Sequence, residues 1–166
     1  MRILGIDPGY GITGFGLIEA QRGSCQLLRC GAITTPAGMD FSARLEMIYE
    51  DMRQLLQVAQ PDAVAIEELF FGQNVTTGIG VAQSRGVILL AIRQAGLEVT
   101  SYKPSQVKQA VVGYGSASKH QVQDMTKRLL HLQEMPKPDD AADAIAIALC
   151  HARSQSSLLS QIRKQS

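Results

Sequence analysis

Four acidic residues stand at the ends of runs that are otherwise apolar, where burial makes a charge costly. Asp7 closes Arg2-Ile3-Leu4-Gly5-Ile6-Asp7, and Glu67 closes Ala63-Val64-Ala65-Ile66-Glu67. Asp140 and Asp143 stand three apart at the head of an Ala/Ile/Leu run that extends to Leu149. An acid so placed is expensive unless something neutralises it. If the fold gathers the four, their repulsion raises their pKa values or demands a cation. No basic residue within these motifs can pair with all of them. A hard divalent metal, Mg²⁺ or Mn²⁺, takes carboxylate and water oxygens. Four negative charges balance two such ions, and paired metals serve phosphodiester hydrolysis.

The chain has 166 residues, which fits one domain, and its 45% hydrophobic content is ample for a core. Net charge is +1 but uneven: residues 1–98 hold ten acids and seven bases, residues 99–166 five acids and nine bases. That asymmetry permits a nucleic-acid face without requiring one. Cys25, Cys30 and Cys150 form no CxxC pair, which suits reduced thiols in a cytoplasmic protein. Asp7 interrupts the first apolar run too early for a signal peptide, and no run is long enough to span a membrane.

Apolar patterning predicts strands at 2–7, 12–19 and 25–34, joined by short turns as an antiparallel meander. Residues 41–59 have helical spacing, with Phe41, Leu45, Ile48, Met52, Leu55 and Leu56 on one face. A short apolar strand at 63–67 follows, then a helix at 77–95 with Gly96 as its cap and a fifth strand at 97–101. Helices are expected at 104–112 and 118–132, and a last one from about Asp139 to about Arg153. The order βββαβαβ, then helices, gives one α/β domain over 1–153. The Ser/Gln-rich stretch 154–166 is expected to be a flexible tail.

Each motif has an ordinary alternative. Gly9-Tyr10-Gly11-Ile12-Thr13-Gly14 matches a dinucleotide-binding fingerprint, but strand-like residues follow it and no acid stands about twenty positions on. Asp7 alone is explained by a turn. Glu67 and Glu68 point to opposite faces of a strand, so only one can join a given site. Asp139 suits a helix N-cap, but that leaves Asp143 unexplained, one turn into an apolar helix. Asp140 and Asp143 share a face and can both grip a metal. Residues 102–137 are basic, with Lys119, Gln123 and Lys127 on one helix face. Gly113-Tyr114-Gly115-Ser116 ahead of them offers amides to a phosphate.

The four carboxylate motifs, in this order and spacing, resemble the RNase H-like superfamily, and more closely its RuvC family of crossover junction endodeoxyribonucleases. The matching words are Gly5-Ile6-Asp7-Pro8-Gly9, Ala65-Ile66-Glu67, Gln106-Val107-Lys108-Gln109 through Gly113, and Asp140-Ala141-Ala142-Asp143-Ala144-Ile145-Ala146. The likeness covers about residues 2–152. It implies an RNase H-like five-stranded mixed sheet, three antiparallel strands then two parallel, flanked by helices. It implies Asp7, Glu67, Asp140 and Asp143 as catalytic metal ligands for two Mg²⁺, with Mn²⁺ able to substitute, and it selects Glu67 over Glu68. It places Phe70 against junction bases and Lys108 and Lys119 near the scissile strand. It further implies four-way (Holliday) junction DNA as substrate, a homodimer, and work beside the RuvA–RuvB branch-migration complex. The apolar helix 77–95, with Gly78, Gly80, Ala82, Ser84 and Gly86, is the expected interface. Two rivals are an RNase H-like nuclease acting on structured RNA and an actin-like ATP-binding domain.

Overall fold

A computed structural model describes residues 1–21, 23–69 and 75–164, without the side chains of 75, 76 and 156–164. Five strands form one sheet in the order β3-β2-β1-β4-β5: β1 (Arg2–Asp7), β2 (Ile12–Gln21), β3 (Ser24–Thr34), β4 (Ala63–Glu67) and β5 (Val99–Tyr102). The first three pair antiparallel, and β4 and β5 add in parallel. The expected mixed sheet is therefore present.

Helices cover both faces. Helices α1 (Phe41–Ala59) and α2 (Val75–Gln94) enclose Leu4, Ile6, Val64 and Ile66 on one side. On the other side α5 (Asp139–Lys164) lies across β1 and β2, braced by α3 (Pro104–Val112) and α4 (Lys119–Leu129). Strand periodicity fixes this division: Ile3, Gly5 and Asp7 alternate with Leu4 and Ile6, so they face α5.

The contact of α5 with the sheet is set by glycines. The register places Gly16 opposite Gly5 and Gly14 opposite Asp7. A Cβ on Gly5 would lie 2.0 Å from the Ala144 carbonyl oxygen, and one on Gly14 would lie 2.0 Å from that of Asp140. On Gly16 it would lie 2.5 Å from the Ile145 side chain. Helix and strand backbones therefore meet directly, with only alanine methyls and Ile145 between them.

Several boundaries differ from the sequence reading. Helix α5 continues to Lys164, past the expected end near Arg153. Residues 154–164 contain no glycine or proline to stop it, and the Ser154 hydroxyl donates back to the Cys150 carbonyl at 2.9 Å. Asp139 lies inside the first turn, not at the cap. The buried residues of α1 are Arg44, Ile48, Met52, Leu56 and Ala59, so Ile48, Met52 and Leu56 of the expected stripe face the core and Arg44 and Ala59 join them. Helix α4 begins at Lys119, and the Ser118 hydroxyl accepts from the Gln121 amide at 3.2 Å, so a side chain rather than an open amide cradle caps it. The small residues of α2 divide: a Cβ on Gly80 would strike the Tyr10 ring and Ser84 is fully buried, so both belong to the monomer core. Ile79, Gln83, Gly86 and Leu90 form the outward stripe.

Gly5→Ala is expected to destabilise the protein by about 3 kcal/mol in urea unfolding, because the clash is with backbone. A loss below about 0.5 kcal/mol would mean that α5 can lift from the sheet freely.

Candidate active site

Asp7 and Glu67 end neighbouring parallel strands, and the register pairs Gly5 with Ala65. Both acids therefore point to the face that α5 covers, and Glu68 points away. Helix α5 crosses there with Asp140 and Asp143 in its first two turns, held close by Gly14 and Gly5. Elements far apart in sequence thus deliver four carboxylates to one end of one sheet face.

The electrostatics follow from that convergence. Burial, then the charges of Glu67, Asp143 and Asp140, push the Asp7 carboxyl from its ordinary 3.8 up to about 8. Asp7 keeps its proton and donates it to Glu67. Burial also raises Glu67, opposed by that hydrogen bond and by Lys108 and Lys119. Lys119 pairs with Asp143 at 2.9 Å and with Asp139 at 3.4 Å, and the Asp143 bond raises the lysine's pKa. Among the described residues, no three of these side chains already stand at metal-ligand spacing. Proton sharing and Lys119 offset the repulsion instead. This donor set suits a hard divalent cation: oxygen-only, anionic, and raised in energy by its own proximity.

The sequence-derived residues thus largely meet. Asp7, Glu67, Asp140 and Asp143 share one electrostatic site, and Lys108 and Lys119 border it. Phe70 lies outside the described residues. Two contributors were not expected at the site. Asp139 is the second acid on Lys119. Arg85 donates Nε to the Glu67 carbonyl at 3.0 Å and Nη2 to the Ser101 hydroxyl at 2.7 Å, tying α2 to the ends of β4 and β5. Arg85 was legible in principle as the lone charge between Glu68 and Arg93.

An acid whose pKa is higher folded than unfolded gives stability that is whole below the unfolded value and lost as pH climbs through the folded one. For Asp7 that window runs from about 4 to about 8. Metal-free protein should therefore show a falling melting temperature from pH 5 to 8. Asp7→Asn should melt higher than the parent at pH 8 and flatten that decline. Parallel melting curves for the two proteins would contradict the assignment.

The comparisons with known proteins agree with this geometry. A family profile for crossover junction endodeoxyribonuclease RuvC matches residues 3–151. The Heliobacterium modesticaldum enzyme of that name is 56% identical over 154 residues, covering 93% of this chain and 95% of its own. The Chloroflexus aggregans enzyme is 54% identical, covering 92% and 93%. Thermus thermophilus RuvC superimposes with a TM-score of 0.88 at 35% identity, covering 95% of this chain and 96% of its own. Its complex with a Holliday junction substrate gives 0.88 at 36% identity, covering 93% and 94%. The yeast mitochondrial resolvase Ydc2 shares the fold alone, at 15% identity and a TM-score of 0.75. With an RNase H-like sheet, four acids on one of its faces and these relatives, the chain belongs to the RuvC family of crossover junction endodeoxyribonucleases.

Proposed function

We propose that this protein is a metal-dependent endonuclease that resolves four-way DNA junctions by paired symmetric nicks, in homologous recombination and DNA repair. The observation that carries the proposal is the convergence of Asp7, Glu67, Asp140 and Asp143, with Asp7 raised to about 8 by its neighbours. Asp7, Glu67, Asp140 and Asp143 would hold two Mg²⁺ ions, with Mn²⁺ as a substitute. When bound, the metal supplies an activated water and neutralises charge on the departing 3′ oxygen.

The remaining roles belong to the chain. Asp7 and Glu67 must give up the proton between them, which sets a lower pH limit for activity. Lys119, paired here with Asp143, would bring its charge to the scissile phosphate and offset the charge of the transition state. Asp139 keeps a second hold on the lysine and limits how far it travels. Lys108 adds positive charge near Glu67 and the cut strand. Phe70, three residues after the end of β4 in the sequence, would be the residue that stacks on an unpaired junction base. Hydrolysis leaves a 5′-phosphate and a 3′-hydroxyl, a nick that ligase can seal.

A four-way junction is two-fold symmetric and needs two opposed cuts, so one site per chain calls for a C₂ dimer. The outward stripe of α2 is its interface, with Ile79 and Leu90 each about half exposed. Residues 1–153 form the nuclease unit, and the last turns of α5, as far as Lys164, extend beyond it. We place the protein in the cytoplasm beside the RuvA–RuvB complex. Among the described residues, no helix is long and apolar enough to cross a membrane.

The test is a synthetic mobile four-way junction, assayed beside a structured RNA. Cleavage should require Mg²⁺, favour the junction, and fall in Asp7→Asn by more than the roughly hundredfold that losing an outer-shell partner costs. Cleavage that persists in chelator, or a preference for RNA, would overturn the proposal. Lys119→Met should lower turnover about a hundredfold while leaving junction affinity within about threefold. An equal loss in both would reduce Lys119 to a binding residue.

A further inference from the structure

Arg44 is a cation nine-tenths buried with no acid beside it. It is 9% exposed on the inward face of α1. All fifteen Asp and Glu residues fall among the described residues, and none forms an ion pair with it. Burying an unpaired charge is costly, and arginine does not readily lose its proton to escape that cost.

Its surroundings fix it without neutralising it. Nε donates to Thr35 Oγ1 at 2.8 Å, and that hydroxyl donates onward to the Tyr10 carbonyl. The guanidinium carbon lies 4.9 Å from the centre of the Tyr10 ring. Tyr10 is itself held edge-on by Phe41 at 5.7 Å and by Gly80, where a Cβ would come within 2.9 Å of the ring. One of the five guanidinium donors is thereby used. The terminal nitrogens have no hydrogen-bond partner among the described residues, and they are not among the sealed, unpaired polar atoms there, so they reach solvent. Nη2 lies along Gly11, 3.3 Å from where a Cβ would stand, so the missing side chain leaves that edge of the fork uncovered.

A planar cation gripped by its stem, its Nε and one ring face, with its terminal fork open, is shaped for a bidentate oxyanion. The turn it grips follows Asp7 directly, so the fork sits at the end of the sheet where the acids gather, on the opposite side of the β1–β2 turn. We infer that Arg44 is a phosphate-binding residue whose terminal N–H pair takes one backbone phosphate of the DNA flanking the cut strand. The inference rests on the junction-nuclease reading. Its rival is an arginine that only braces Tyr10 and Thr35.

Salt dependence separates the two, because a phosphate contact releases counterions and a brace does not. Binding of a labelled four-way junction is measured by fluorescence anisotropy across a salt series, with Ca²⁺ in place of Mg²⁺. Arg44→Gln should bind about tenfold more weakly at low salt. Its plot of log affinity against log salt should be shallower by about 0.9, the value for one phosphate, while Arg44→Lys keeps the parent slope. Parallel slopes for Arg44→Gln and parent overturn the inference, whatever the loss in affinity. If Arg44→Gln does not fold, the parent protein is treated with phenylglyoxal and its peptides weighed. Junction DNA should protect Arg44, and equal modification with and without DNA overturns the inference. A parent protein that binds no junction would sink the nuclease reading first, a result distinct from parallel slopes.

Discussion

Helix α5 lies against β1 and β2 with no side-chain layer between the backbones where Gly5 and Gly14 meet it. Only glycine fits there, since any Cβ would enter a carbonyl oxygen's radius. The close approach sets the reach of the helix's first turns. It brings Asp140 and Asp143 over the strand ends that carry Asp7 and Glu67. A helix resting on larger side chains would stand farther off and leave the acids apart. The gathering of the four acids is thus a consequence of backbone packing, and the glycines that create it are themselves chemically inert.

That packing stores an electrostatic cost. Desolvation and three neighbouring carboxylates act on Asp7 together, while the Asp7–Glu67 hydrogen bond and the charges of Lys108 and Lys119 ease the rest of the cluster. Functional sites gather such conflicts because the missing partner supplies the relief. Basic residues lie around the conflict in graded order: Lys119 touches it, Lys108 bears on Glu67, and Arg85 holds the Glu67 backbone. Arg85 also joins α2 to the site, so the helix with the outward apolar stripe and the end of β4 at Glu67 share one hydrogen-bonded brace.

Much of this was legible in the sequence because it rests on short-range periodicity. Strand alternation set Glu67 and Glu68 on opposite sides, the likeness to the RuvC family chose Glu67, and the three-residue spacing put Asp140 with Asp143. Tertiary contacts hid the rest. The glycines of β2 are visible in the sequence, but the helix that packs on them is not. Arg44 was not placed on the buried face of α1, because spacing assigns faces by hydrophobicity, whereas Tyr10 and Thr35 supply a polar niche. Gly80 and Ser84 suggested an interface, yet Tyr10 fills the space against Gly80. Helix α5 overran its expected end because a polar run without breakers remains a competent helix.

The most direct measurement is an NMR titration of the Asp7 side-chain carboxyl in metal-free protein, repeated with saturating Mg²⁺. Convergence of the four acids requires a midpoint near pH 8 without metal and a fall of several units when the cation is added. A midpoint near 4 in both conditions would mean that the carboxylates do not share a pocket.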